Sequence, residues 1–112
     1  MEYTEIFSDD DLEKIIDEGL VYMCACPAQV AESLRKVRAM YHYQLNCLSD
    51  GNNMAQVHRT IARTAISVQQ QLEACLEEVL EIEQWDRATL TMPEGLRLRQ
   101  HRELLDDNPA TE

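Results

Sequence analysis

The chain has 112 residues, of which 45% are hydrophobic and 28% charged, a composition typical of one globular domain rather than a disordered chain. Its formal net charge of −11 argues against nucleic acid and anionic membrane surfaces as partners. No apolar run is long enough to cross a membrane and the first residues show no secretory signal, so we expect a cytoplasmic protein.

The charge is unevenly distributed along the chain. Residues 1–18 carry a net charge of −7, residues 19–71 a net charge of +3, and residues 72–112 a net charge of −7. The interpretation that we favour is that the two acidic ends fold back on the basic middle of the same molecule. The alternative is antiparallel or head-to-tail self-association, which would use the same complementarity.

Few, long elements are expected, because three Gly and three Pro supply too few turn signals for a β-sandwich or barrel. The stretch Ser8–Asp11 offers capping residues for a first helix, predicted over 9–24. Apolar residues then recur at helical spacing. The residue before Pro27 is disfavoured in a helix, so Pro27 should begin a second helix over 28–48.

A third helix is predicted over 54–85, because apolar residues recur in it every seven positions. The heptad positions are Met54, Ile61, Val68, Cys75 and Ile82, flanked by Val57, Ala65, Leu72 and Val79. Such a pattern is typical of a helix buried along one stripe. This helix outruns the second one, so its overhang at about 75–85 must pack on helix one, on the C-terminal segment or on another chain.

Thr91, Pro93 and Glu94 resemble the start of a fourth helix, predicted over 93–105. The fold class expected is therefore all-α: a small four-helix bundle-like single domain, residues 1–112, built on a long antiparallel helical hairpin. Residues 1–8 and 106–112 are expected to be a flexible arm and tail. The predicted core is Ile16, Leu20, Val30, Leu34, Val37, Tyr41, Leu48, Ile61, Val68, Leu72, Val79 and Ile82.

The cysteines offer one cluster with possible chemistry. In a hairpin that turns near 50–52, residue n faces roughly residue 101 − n, which puts Cys26 opposite Cys75 with Cys24 beside it. Cys26 would also be the N-cap of the second helix, where the helix dipole stabilises a thiolate. The alternative is that these thiols fill space in an apolar core, as free cysteines usually do.

Other polar groups are weaker candidates. His42, His58 and Cys47 approach each other near the hairpin tip and could hold zinc, although solvent-facing histidines are the simpler interpretation. The carboxylates of the third helix are expected to form a solvated outer face: Glu73, Glu77, Glu78, Glu81 and Glu83. The basic cluster makes a weak nucleic-acid footprint: Arg35, Lys36, Arg38, Arg59 and Arg63.

No catalytic motif is present in the sequence, so we expect no catalytic residues and a non-enzymatic module that binds another protein through its acidic face. A homodimer burying the overhang of the third helix together with the first helix is expected as well. No cofactor is predicted. The alternative function is a thiol redox or soft-metal protein using Cys24, Cys26 and Cys75, with zinc as a possible ligand.

Overall fold

The computed structural model describes residues 2–22, 25–49 and 54–93, which contain three helices and no β-strand. Helix α1 spans Asp9–Tyr22, α2 spans Ala25–Ser49 and α3 spans Ala55–Ile82. The all-α prediction is confirmed, but a four-helix bundle is not supported. The predicted fourth helix, 93–105, and the tail, 106–112, lie outside the described residues except for Pro93. None of the described helices is long and apolar enough to cross a membrane.

Helix α1 begins at a reciprocal cap. The Asp11 amide donates to Ser8 Oγ at 3.0 Å, and the Ser8 amide donates to Asp11 Oδ2 at 2.9 Å. Both bonds satisfy amides that have no partner inside the helix. The three aspartates of the first turn interact favourably with the positive end of the helix dipole. The predicted start of the first helix is confirmed.

Helix α2 begins at Ala25, three residues before the predicted start. Pro27 is therefore in the first turn, where the amide that proline lacks would have no helical partner in any case. Cys26 is consequently inside the helix, and its predicted role as the N-cap residue is wrong. The error arose because proline is tolerated throughout the first turn, not only at its first position.

Helix α3 ends in a Schellman motif. The Trp85 amide donates to the Leu80 carbonyl at 2.9 Å and the Gln84 amide to the Glu81 carbonyl at 3.0 Å, with Gln84 in the left-handed region at φ 60°. The chain then turns back through an isolated antiparallel bridge between Asp86 and Thr91. This turn brings the buried side chains Trp85, Leu90 and Met92 onto the core.

The core lies at one end of the molecule, where α1 packs on α2 and α2 packs on α3. Its members are Phe7, Leu12, Ile15, Ile16, Ala28, Ala31, Leu34, Leu76, Leu80, Trp85, Leu90 and Met92. Leu76 and Leu80 belong to the predicted overhang of the third helix. One side of that overhang is therefore covered within the chain, since Leu76 and Leu80 share a core with α1, the arm and the turn after α3, whereas Ile82 on its other side is 72% exposed.

The predicted core is correct only in part. Ile16 and Leu34 are buried, but Leu20 is 69% exposed and Ile82 is 72% exposed. The remaining predicted members are half-buried: Val30, Val37, Tyr41, Leu48, Ile61, Val68, Leu72 and Val79. The buried stripe of α3 is a different one, made of Ala62, Ala65, Ile66, Gln69, Glu73, Leu76 and Leu80.

The buried stripe is displaced from the predicted one by a single residue. Ala62, Gln69 and Leu76 are buried, and each directly follows a heptad position. One residue corresponds to a rotation of about 100° around a helix. The predicted heptad positions therefore lie on the flank of the side of α3 that faces the core.

Candidate functional site

Three polar side chains are buried together between α2 and α3 and form what we call the polar clamp: Arg38, Gln69 and Glu73. They are 3%, 1% and 1% exposed. Arg38 Nε donates to Gln69 Oε1 at 2.9 Å, and the second terminal nitrogen of the guanidinium donates to Glu73 Oε2 at 3.0 Å. A buried charge is tolerated only when it is paired and hydrogen-bonded, as it is here.

The polar clamp binds the main chain of the N-terminal arm, whose described part is residues 2–8. Glu73 Oε2 accepts the amides of Ile6 and Phe7 at 2.7 and 3.0 Å. Arg38 donates to the Phe7 carbonyl at 2.6 Å, and Gln69 Nε2 donates to the Thr4 carbonyl at 2.8 Å. Ile6 and Phe7 lie in a bend, and the clamp contacts main-chain atoms there, so these bonds do not depend on the side chains of the arm. The expectation of a flexible arm included none of them.

Two further acidic residues lie close to Arg38, one in the arm and one at the start of α1. Asp9 Oδ1 accepts from the first terminal nitrogen of the guanidinium at 2.8 Å, and Glu5 Oε2 lies 3.7 Å from Nε. Asp9 is mostly exposed, whereas Glu73 is fully enclosed. The Glu73 pairing is therefore the one that water does not screen. Arg38 belongs to the interior, and its assignment to a basic surface cluster was wrong.

Phe7 is the apolar anchor of the arm. Its side chain is 0% exposed and belongs to the core. The guanidinium carbon of Arg87 lies 4.2 Å above the ring centroid, a cation–π geometry. Arg87 is held there by Glu77, whose Oε1 accepts from Nε at 2.7 Å. The arm is thus bound by side-chain packing as well as by the polar clamp.

Tyr3 attaches the start of the arm to α2. Its ring stacks on that of Tyr41 with centroids 4.2 Å apart and planes 5° apart, and His42 packs edge-on against both rings. The Tyr3 hydroxyl donates to Glu5 Oε2. Partial burial of the phenol and the neighbouring Glu5 carboxylate both raise the pKa of Tyr3 above its ordinary value.

The polar clamp was not predicted from the sequence, and the prediction that Glu73 lies on a solvated face is wrong. Gln69 and Glu73 are four residues apart and share a stripe with Ala62, Ala65 and Leu76. That stripe has helical periodicity of its own, but the more hydrophobic heptad positions beside it outweighed it. A second signal was the presence of an arginine on α2, because a buried carboxylate needs a cation beside it.

The heptad positions form a second feature, which we call the heptad face: Met54, Ile61, Val68, Cys75 and Ile82. Met54 and Ile82 are 57% and 72% exposed, and Cys75 is also exposed. Ile61 and Val68 are half-buried. Val57 extends this surface and borders a shallow groove with Met54 and Ile61. An apolar stripe along the length of α3 is therefore accessible to a partner.

The candidate thiols are not brought together by any contact among the described residues. Cys26 and Cys75 are exposed free thiols, and Cys24 lies outside the described residues. Near the hairpin tip Gln44 bonds to His58, close to the expected register, whereas Arg38, which that register places opposite residue 63, bonds to Gln69 and Glu73. The proposed pairing of Cys26 with Cys75 was based on that register.

The histidine candidates have separate surroundings. His58 Nδ1 is hydrogen-bonded to Gln44 Oε1 at 2.6 Å, while Nε2 is buried and has no hydrogen-bond partner. His42 contacts the tyrosine stack instead, and Cys47 is half-buried. In the part of the chain that the structure describes, no three His, Cys, Asp or Glu side chains are arranged to hold a metal ion.

The acidic surface of α1 is shallow and carries one base among its acids. Asp10, Glu13, Asp17 and Glu18 line it together with Lys14. Glu18 is engaged, since its Oε2 accepts the Met92 amide at 2.9 Å and so ties α1 to the turn after α3.

Comparison with protein-family models, curated proteins and solved structures finds no match to this chain.

Proposed function

We propose that this chain is a non-enzymatic protein-interaction module that binds a helical partner through the heptad face of α3. The observation that carries the proposal is that none of the heptad positions from Met54 to Ile82 is buried: three are exposed, and the other two are half-buried. A helix that laid its own heptad repeat against this stripe would remove these side chains from water.

Isolated exposed apolar residues are common on protein surfaces and need no partner. The heptad face differs because its members share one period over four repeats and lie along one side of one helix. Folding of the chain does not require them to be apolar, since a separate stripe of α3 supplies the core. A row of accessible apolar side chains at one heptad spacing is the kind of surface on which a partner helix packs.

The acidic surface of α1 is the competing location for binding. The sequence analysis favoured it on net charge, and the side chains Asp10, Glu13 and Asp17 do line one surface of α1. Charges on such a surface interact well with water and contribute little to affinity unless they are desolvated. The lining of the acidic surface includes one exposed apolar side chain, Val21, whereas the heptad face offers five accessible apolar side chains at a regular spacing, and for that reason we prefer it.

Photo-crosslinking from single positions tests this proposal. A photoreactive amino acid replaces Val57 on the heptad face, Glu13 on the acidic surface, or Gln70, which is an exposed position outside both. Each full-length chain is irradiated in cells that express it. We expect a specific adduct from position 57 and none from position 70. An adduct from position 13 alone would assign binding to the acidic surface and contradict the proposal.

The alternative of a thiol redox or soft-metal protein remains a prediction. The exposure of Cys26 and Cys75 is compatible with it, since a reactive thiol must be accessible. Its mechanism requires a Cys26 thiolate at neutral pH and a second sulfur within reach. Alkylation of Cys26 as a function of pH, with metal analysis of the purified protein, measures both requirements. A Cys26 that reacts like an ordinary thiol in a metal-free protein would contradict this alternative.

A further inference from the structure

We infer that the partner of the heptad face is a second copy of this chain, bound with its α3 antiparallel to the first and with Val68 facing Val68 at the centre. This inference rests on the proposed function, in that the heptad face must be an interface. It adds the identity and the direction of the partner.

The spacing of the heptad face makes it complementary to itself. Ile61 and Cys75 are both seven residues from Val68, and Met54 and Ile82 are both fourteen residues from it. A two-fold interface uses the same patch on both subunits, so it pairs position i with position j and j with i. An antiparallel arrangement centred on Val68 would pair Ile61 with Cys75 and Met54 with Ile82 of the second copy.

The two outermost members of the heptad face are the ones that this pairing would bury at its ends. Met54 and Ile82 lie beside the first and last turns of α3, and both are more than half exposed in the single chain. Pairing them in both directions would shield four large apolar side chains. Burial of this kind is the main favourable contribution to association.

The charge distribution along α3 sets the direction. Its first half carries Arg59 and Arg63 and no acid, whereas its second half carries no base and, outside the polar clamp, three glutamates. Antiparallel packing places the basic half of one helix alongside the acidic half of the other. Parallel packing would place Glu77, Glu78 and Glu81 beside their own copies, and like charges in proximity are unfavourable.

Sedimentation of the purified full-length chain and two matched variants tests whether a second copy is the partner. The wild type should reach twice its monomer mass of 12.9 kDa as its concentration rises. Val57→Glu/Ile82→Glu adds two charges at exposed heptad-face positions and should remain at 12.9 kDa. Gln70→Glu/Ala74→Glu adds the same charge at exposed positions elsewhere on α3 and should dimerise like the wild type.

A wild type that stays monomeric at every concentration would overturn the inference. The proposed function would survive that result if photo-crosslinking from position 57 still gave an adduct with another protein. A Val57→Glu/Ile82→Glu variant that dimerises like the wild type would show that the dimer uses another surface. That outcome would overturn the inference as well.

Disulfide cross-linking tests the direction and does not depend on a disruptive variant. In a chain whose other three cysteines are replaced by alanine, Ile61→Cys should form two disulfides with Cys75 of the second copy under mild oxidation. Gln70→Cys in the same background serves as the control, and no disulfide should form between position 70 and Cys75. A bridge between the two Cys75 residues would indicate parallel packing, and no bridge from position 61 would exclude this register.

Discussion

At the scale of single residues, the polar clamp is the arrangement on which the N-terminal arm depends most. Glu73 Oε2 accepts three hydrogen bonds, from Arg38 and from two consecutive arm amides. A buried ion pair of this type adds little relative to a well-packed apolar pair, but losing one partner leaves the other charge without its strongest neighbour. The arrangement therefore specifies where the arm binds.

Replacement of Glu73 should be strongly destabilising. We expect Glu73→Leu to lower the free energy of unfolding by about 3 kcal/mol, because it leaves Arg38 under-paired and leaves the buried Phe7 amide and the partly buried Ile6 amide without their acceptor. Urea unfolding measures the change. Glu81→Leu, at an exposed position of the same helix, should change stability by less than about 0.5 kcal/mol. Equal effects from the two substitutions would contradict the role given to the clamp.

Tyr3 gives the protein a sensitivity to alkaline pH. Because the pKa of Tyr3 is raised by folding, the folded state keeps the proton when the unfolded state releases it. The stabilisation by Tyr3 is thus fully present below about pH 10 and is lost as the pH rises further. Chemical unfolding of the wild type and of Tyr3→Phe across this range should show the wild-type advantage shrinking.

Tyr43→Phe is the matched control for this experiment, since Tyr43 is 64% exposed on the same helix that Tyr3 contacts. The Tyr43→Phe variant should lose stability at alkaline pH to the same extent as the wild type. If Tyr3→Phe shows the same decline as the wild type, the alkaline sensitivity arises from other groups and the coupling between Tyr3 and folding is contradicted.

At the scale of elements, the ends of the helices differ in how well their local sequence suits them. The Ser8–Asp11 cap uses residues that prefer this position, so the start of α1 could be predicted. The end of α3 has Gln84 in the left-handed region, which glycine adopts most easily. The sequence lacked the expected glycine signal, and the predicted helix therefore extended to 85.

Gln84→Gly should stabilise the protein. Relief of the left-handed conformation contributes about 1–2 kcal/mol, and the added freedom of glycine in the unfolded chain offsets about 0.5–1 kcal/mol of it. We expect the free energy of unfolding, measured by thermal or urea unfolding, to increase by about 0.5–1 kcal/mol. Glu78→Gly, in the helical part of α3, should have the opposite sign. A decrease for Gln84→Gly would mean that the glutamine side chain has an unrecognised contact.

At the scale of the whole molecule, the two ends of the α2–α3 hairpin are covered unequally. A helix of 14 residues such as α1 is roughly 21 Å long, enough to lie along α2 from its start to about Arg38, where Asp9 meets the guanidinium. The arm and the turn after α3 pack at the same end. Residues 40–49 and 54–62 form a half of the hairpin that α1 does not reach.

Hydrogen exchange should show that the two halves of the α2–α3 hairpin differ in the protection of their amides. Amides in residues 40–49 and 54–62 should exchange faster than amides in residues 28–38 and 69–80, because fewer buried contacts oppose their opening. The measurement is made at a concentration at which the protein sediments as a monomer. Uniform protection of both halves would contradict the picture of a single core at one end.

The amino-acid sequence by itself determined the all-α class and the three described helices, with ends correct to within three residues, because helical periodicity and capping are local properties. It also marked the heptad face as a conspicuous apolar stripe. Which stripe of α3 faces the core depended on tertiary structure, since adjacent stripes differ by one residue and both repeat with helical period.

The polar clamp was likewise decided only by tertiary structure. Arg38, Gln69 and Glu73 are up to 35 residues apart, and the arm that they bind lies more than 60 residues from Gln69 and Glu73. Burial of a charge becomes favourable only when its partners arrive from elsewhere in the chain. No local pattern reports that event, so packing placed an arginine and a glutamate inside and left a heptad of apolar side chains partly in water.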